Sequence, residues 1–265
     1  MSTPWRLLVH NTVDGALNMA VDRAIQIGRE EGTSPPTLRL YRWSRPTVTL
    51  GRFQNVESVD LSECRASGAD VVRRSTGGRG VLHDDELTYS VVASLEDGVP
   101  RGTAASYAHL CVAIVETYRC LGIDASLTSR QRGVSGSAAC YLQTTRADVS
   151  FGAAKLSGSA QVWHGSTVLQ HGSFTVTRDT AREGRIFCLD SDQRSQLSNH
   201  TVTIEEALRR RVTDTELLTA CVEGFERGLG VQLYRSELTA EEALRAGALV
   251  PRMRIEDPEL PTAGG

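Results

Sequence analysis

Lys155 is the only lysine in a chain that carries 28 arginines. Surface lysines exchange with arginine at little cost. A sequence this biased is expected to keep a lysine where a compact ammonium is needed and a flat guanidinium will not serve; chance retention is the plain alternative. Cys140 stands fifteen residues upstream, after Ser137-Ala138-Ala139. A thiol and an ammonium together suit acyl transfer through a cysteine acyl-enzyme. A nearby cation favours the thiolate and can stabilise the oxyanion of the transition state. The competing reading is that a cysteine after two alanines is a small buried hydrophobe.

The second stretch with chemical potential is Arg73-Arg74-Ser75-Thr76-Gly77-Gly78-Arg79-Gly80-Val81-Leu82-His83-Asp84. Gly77 and Gly78 let backbone N–H groups approach a ligand, and arginines beside such a bend suit a phosphate or carboxylate. A hairpin with a solvated charged tip is the alternative. No Gly-Lys-Ser/Thr follows, so it is not a P-loop, and no helical pattern follows, so it is not a dinucleotide fingerprint. His83 could bound a pocket, assist proton transfer, or be structural. His164 and His171 have no third ligand at useful spacing, and no metal site is expected.

The elements that must position these residues are legible in part. Trp5 to His10 reads as a strand, and Asp14 caps a helix to about Glu31 with Leu17, Val21, Ala24, Ile25 and Gly28 on one face. Leu38–Trp43 and Val48–Leu50 alternate like half-buried strands, with Pro46 between them. Trp43 and Phe53 read as core aromatics. Asp60–Ala66 is a short helix, and the Gly-rich stretch reads as a bend between strands 70–72 and 86–92. Thr103–Leu121 is a helix with a stripe of Tyr107, Leu110, Cys111, Ile114, Tyr118 and Leu121. Residues 129–136 form a polar loop, followed by short strands at 138–142, 147–151, 155–162, 167–170 and 173–176, spaced like an antiparallel meander that sets Cys140 and Lys155 on neighbouring strands. Thr203, Thr213 and Thr239 each precede a glutamate by three residues, the pattern of a helix capping box. Residues 1–250 read as one domain and 251–265 as a flexible tail.

Bulk properties narrow the function. The net charge of −3 implies no nucleic-acid partner. No apolar run is long enough for a membrane span, and the N-terminus lacks a signal-peptide layout. Six scattered cysteines without a CxxC fit reduced thiols, so a cytoplasmic protein is expected.

Four strings, LNMAVDRAI, LRLYRWSRPTVTLGRFQN, RRSTGGRGVLHD, and KLSGSAQ at Lys155–Gln161, resemble the lipoate–protein ligase A and cysteine-dependent octanoyltransferase family, related to biotin–protein ligases. The GGR form of the loop is more like the octanoyltransferases, since many ligases have a third glycine at Arg79. A cysteine fifteen residues before the lysine is likewise an octanoyltransferase feature. The spacing before Lys155 departs from the family, with Ala153-Ala154 inserting one residue after Gly152. The resemblance covers about residues 15–245 and implies an α/β (α+β) fold, a mixed and mostly antiparallel sheet flanked by helices. It implies transfer of octanoyl from octanoyl-acyl carrier protein to a lysine of an apo lipoyl domain, such as glycine cleavage H protein or a 2-oxoacid dehydrogenase E2. Cys140 is then the nucleophile and Lys155 the activating cation. Arg73, Arg74, Gly77, Gly78, His83, Gly158, Ser159 and Gln161 bind substrate. No cofactor is expected. ATP and magnesium enter only if the chain is instead a lipoate–protein ligase. An octanoyl amidotransferase between lipoyl domains and a non-catalytic acyl binder are the other readings.

Overall fold

A computed structural model describes residues 4–127, 132–133, 139–144 and 148–255. In chain order these form β1 (Trp5–Val13), α1 (Gly15–Glu30), β2 (Thr37–Trp43), β3 (Thr47–Leu50), α2 (Leu61–Ala66), β4 (Asp70–Arg73), β5 (Val81–His83), β6 (Glu86–Ser94) and α3 (Thr103–Cys120). There follow β7 (Ala125–Leu127), β8 (Arg132–Gly133), β9 (Gln143–Thr144), β10 (Val149–Phe151), β11 (Ala154–Ser157), β12 (Ser159–His164) and β13 (Thr167–Thr175). The chain closes with α4 (Thr180–Ile186), α5 (Ser191–His200), α6 (Ile204–Leu208), α7 (Asp214–Leu229), β14 (Leu233–Arg235) and α8 (Ala240–Met253).

The main sheet runs β12-β13-β6-β2-β1-β14. Its inner pairs β2–β6, β6–β13 and β13–β12 are antiparallel, whereas β1 pairs parallel with both β2 and β14. Strand alternation sends side chains to two cores. Leu7, Leu38, Leu40, Tyr89 and Val91 pack under α3 and α7, with Leu110, Ile114, Tyr118, Leu217 and Phe225. Leu8, Tyr41, Val92 and Leu169 face α1 and α8, with Met19, Ala24, Ile25 and Ala246. Each such fully buried apolar side chain contributes about 1.5–3 kcal/mol of transfer free energy. Asp14 caps α1 by accepting from the Leu17 N–H at 3.1 Å. Among the described residues no helix is long and apolar enough to cross a membrane.

Several expectations change. The Gly-rich bend does not join two paired strands. β4 and β5 instead flank β3, parallel and antiparallel respectively, and β6 belongs to the main sheet. Phe53 is 87 % exposed, whereas Trp43 is buried. Cys140–Leu142 forms a 3₁₀ turn rather than a strand, and the expected strand 155–162 breaks at Gly158 into β11 and β12. The two expected strands 167–170 and 173–176 are one, β13, because every residue of Thr167–Thr175 pairs with β6. Pro251 lies inside α8, and Arg254 bridges to Val72. The polar loop at 129–136 lies almost wholly outside the described residues, as do residues 256–265.

Candidate active site

The Gly-rich segment folds around Arg74. This side chain is 4 % exposed and spends its donors on its own loop and on β3. Nη2 donates to the carbonyls of Gly77 (2.7 Å) and Arg79 (2.8 Å), Nη1 to the Thr49 carbonyl (2.9 Å), and Nε to Thr76 Oγ1 (3.1 Å). No carboxylate pairs with Arg74 among the described residues. Burial pushes the guanidinium down to about 10 and Cys140 opposes that shift, so Arg74 stays a cation at neutral pH. Gly78 adopts φ 92°, and its carbonyl lies 2.0 Å from where a Cβ on Gly51 would sit, so glycine is required at 51 for the loop to close on β3.

Gly80 then carries the loop to the candidate nucleophile. Its carbonyl accepts the Cys140 N–H at 2.9 Å, within a parallel bridge between Gly80 and Ala139. Cys140 is half-buried and lines a pocket with Arg74, His83, Tyr41, Met19, Gly158, Ser159 and His171.

Lys155 reaches the site from the β10–β11 hairpin, where its cross-strand partner is Ser150 and not Cys140. Its ammonium lies 3.4 Å from the Cys140 carbonyl oxygen and 2.9 Å from Asp148 Oδ2, with both charged side chains almost fully buried. A Cβ on Gly158 would come within 3.0 Å of Lys155 Nζ, so this glycine makes room for the ammonium. Burial alone would push Lys155 down. Its electrostatic interactions with Cys140 and Asp148 outweigh that, and the net shift is upward. Asp148 had no signal in the sequence beyond an acid ahead of an apolar strand. In the sequence Tyr107 of α3 belongs only to the apolar stripe. Its hydroxyl lies 3.3 Å from Asp148 Oδ1 and accepts the Ser159 N–H at 3.0 Å.

The remaining walls are held by two buried networks. His83 is stacked on Trp43 at 4.2 Å, with Nε2 2.9 Å from Thr49 Oγ1 and Nδ1 2.7 Å from Glu86 Oε1. Burial would raise Glu86, but His83 and the hydroxyls of Thr88 and Ser173 hold it below the usual carboxylate range. His171 stands between Thr76 Oγ1 (2.7 Å) and Asp22 Oδ2 (3.4 Å), and burial lowers it despite Asp22. Asp22 also accepts from Arg39 at 2.8 Å and from Tyr41 at 3.1 Å.

The structure therefore brings Cys140, Arg74, His83, Gly158 and Ser159 to one pocket, with Lys155 against its Gly158 edge. Gly77 holds Arg74 through its carbonyl, and Gly78 leaves room for it, since a Cβ there would lie 2.9 Å from Arg74 Nη2. Arg73 points elsewhere: its Nη1 donates to the carbonyls of Gly51 (2.8 Å) and Gln54 (2.7 Å), and it lines a neighbouring basin. Gln161 is used in packing, donating to Gln170 Oε1 and accepting from Ser106.

Cys140 thus lines the pocket, and the buried cations Arg74 and Lys155 both interact with it electrostatically. Residues 14–226 match the Lipoyl protein ligase A/B catalytic domain family. The chain is 38 % identical to Octanoyltransferase LipM of Kyrpidia tusciae, over 96 % of this chain and 97 % of that one. It is 38 % identical to the protein of the same name from Moorella thermoacetica, over 96 % of each. Among solved structures, a putative lipoate protein ligase from T. acidophilum with bound lipoic acid superposes with a TM-score of 0.77 at 25 % identity, over 94 % of this chain and 96 % of that one. The chain is an enzyme of the acyltransferase kind. It belongs to the lipoyl protein ligase A/B catalytic-domain family.

Proposed function

We propose that this enzyme moves an octanoyl group from octanoyl-acyl carrier protein to a lysine of an apo lipoyl domain in the cytoplasm, through a thioester on Cys140. The observation that carries the reading is the half-buried Cys140 on the pocket wall, next to two buried cations, Arg74 and Lys155. The names of the similar proteins support octanoyl as the acyl group.

In the first step the Cys140 thiolate attacks the carbonyl of the donor thioester. The C–S bond to the carrier breaks, and the carrier leaves as a thiolate that takes up a proton. Arg74 and Lys155 oppose the negative charge that passes from sulfur to the carbonyl oxygen and back. In the second step the neutral amine of the acceptor lysine attacks the Cys140 thioester. The amide forms, Cys140 leaves as the thiolate, and the amine proton goes to solvent. Asp148 positions Lys155 by its 2.9 Å ion pair. Met19, Tyr41 and Val81 supply apolar wall for the acyl chain.

The thioester already holds the energy of transfer, so neither ATP nor magnesium is required. Wild-type protein mixed with octanoyl-acyl carrier protein and apo H protein or an apo E2 lipoyl domain should octanoylate the acceptor without ATP, and Cys140→Ala should not. Strict dependence on ATP with free octanoate or lipoate would make the enzyme a ligase. Transfer only from an octanoylated lipoyl domain would make it an amidotransferase.

A further inference from the structure

A second basin adjoins the acyl pocket and shares Arg74 with it. Arg23 of α1, Arg52 after β3, Arg73 at the end of β4, Arg252 of α8 and His164 at the end of β12 converge on it. Four arginines from four separate segments meet here in a chain whose net charge is −3. Among the described residues no carboxylate pairs with Arg52, Arg73 or Arg252. Arg73 Nη1 donates to backbone carbonyls, which leave the guanidinium charge unpaired by any acid among the described residues. Arg23 donates to Gln26 Oε1 at 2.8 Å. Burial holds Arg23 below its ordinary range and Arg52 adds to that shift, so these cations repel one another. Glu30 is the acid at the edge, 3.7 Å from His164 and acting on Arg23 in the opposite sense.

Phe53 follows Arg52, which lines the basin; it is 87 % exposed, with the Arg52 guanidinium 5.2 Å over its ring. An aromatic side chain presented to water beside an arginine is the composition of an interface anchor. The loop that carries it is fixed to the catalytic segment. The Arg52 N–H donates to the Thr76 carbonyl at 2.8 Å, and Arg73 clamps Gly51 and Gln54. Gly80, a few residues further on, holds the Cys140 N–H. The platform therefore keeps a set distance from the nucleophile.

We infer that this arginine basin, with Phe53 beside Arg52, is the docking surface for the acidic carrier protein that delivers the acyl group on a phosphodiester-linked arm. The inference rests on the transferase reading above. Guanidinium groups pair bidentately with phosphate and carboxylate oxygens, and opposite potentials across an interface speed encounter and fix register.

The test uses the whole chain with Arg52→Glu combined with Arg252→Glu, and separately Phe53→Ser. Binding of fluorescently labelled octanoyl-carrier protein and of labelled apo lipoyl domain is read by anisotropy. Acylation of Cys140 by octanoyl-pantetheine, which has neither protein nor phosphate, is read by intact mass. The charge reversal should weaken carrier binding at least tenfold and remove most of its salt dependence, and Phe53→Ser should weaken it several-fold. Lipoyl-domain binding and acylation by octanoyl-pantetheine should keep their wild-type values. Loss of lipoyl-domain affinity instead would assign the surface to the acceptor. Unchanged carrier binding, or an equal loss of acylation with octanoyl-pantetheine, would overturn the proposal. If wild-type Cys140 is acylated by neither donor, the transferase reading falls, while the anisotropy still decides whether the carrier docks here.

Discussion

Replacing Lys155 by methionine should have two consequences that a second substitution can separate. The ion pair with Asp148 is 2.9 Å long, and the two side chains are 2 % and 3 % exposed. Removing one partner of such a pair leaves a buried charge uncompensated, at a cost of about 3–5 kcal/mol. At about 2–4 °C per kcal/mol for a protein near this size, the melting temperature should fall by roughly 6–20 °C. Lys155→Met with Asp148→Asn removes both charges, and the amide can still accept from Tyr107. Most of the lost stability should return. Transfer should not return in the double variant, because the cation beside Cys140 is still missing. Iodoacetamide labelling of Cys140 at neutral pH should be slowed in both. Melting curves, labelling rates by peptide mass and octanoyl transfer would be measured in parallel. Transfer restored together with stability in the double variant would show that Lys155 only supports the fold.

Burial, with Arg39 and Arg6, lowers His10 from 6.5 to about 4. The unfolded chain therefore takes up this proton first, and stability should fall as pH drops from about 6.5 to about 4. His10→Gln can still accept from Arg39 and should show a shallower fall in melting temperature over that range. Gly51→Ala drives a Cβ into the Gly78 carbonyl, 2.0 Å away, and should cost about 1–3 kcal/mol in denaturant titrations and reduce transfer. Transfer rates should rise with acyl length to eight carbons, by about 0.8 kcal/mol per buried methylene, and then fall. Met19→Ala should move that optimum to longer chains, and a flat profile from six to sixteen carbons in the wild type would contradict an enclosed pocket.

The sequence carried the framework well where patterns are local. Asp14 before an apolar helical stripe and the alternation in Leu38–Trp43 both became the elements they predicted, because each is fixed by neighbours a few residues away, but Leu38–Trp43 is buried on both faces rather than half-buried because it lies inside the main sheet between two cores. Failures came where long-range pairing decides. Nothing local says that β5 must pair with β3, or that Gly158 interrupts a strand to leave space for Lys155 Nζ. Phe53 read as core because its aromatic character says nothing about which side of a loop faces water. Within the site, residue types marked Cys140 and Lys155, and Gly-rich spacing marked the loop around Arg74. Asp148 and Asp22 were not legible, because their roles depend on Lys155, Arg39 and His171 arriving from elsewhere in the fold.

The central claim is the acyl-enzyme on Cys140. Intact mass of the wild-type protein after brief mixing with octanoyl-acyl carrier protein, without ATP and without acceptor, should show one added octanoyl group. Peptide mapping should place it on Cys140, and adding apo lipoyl domain should discharge it onto the acceptor lysine. An unmodified enzyme under conditions where the acceptor is nonetheless octanoylated, or a Cys140→Ala variant that transfers at the wild-type rate, would contradict the account.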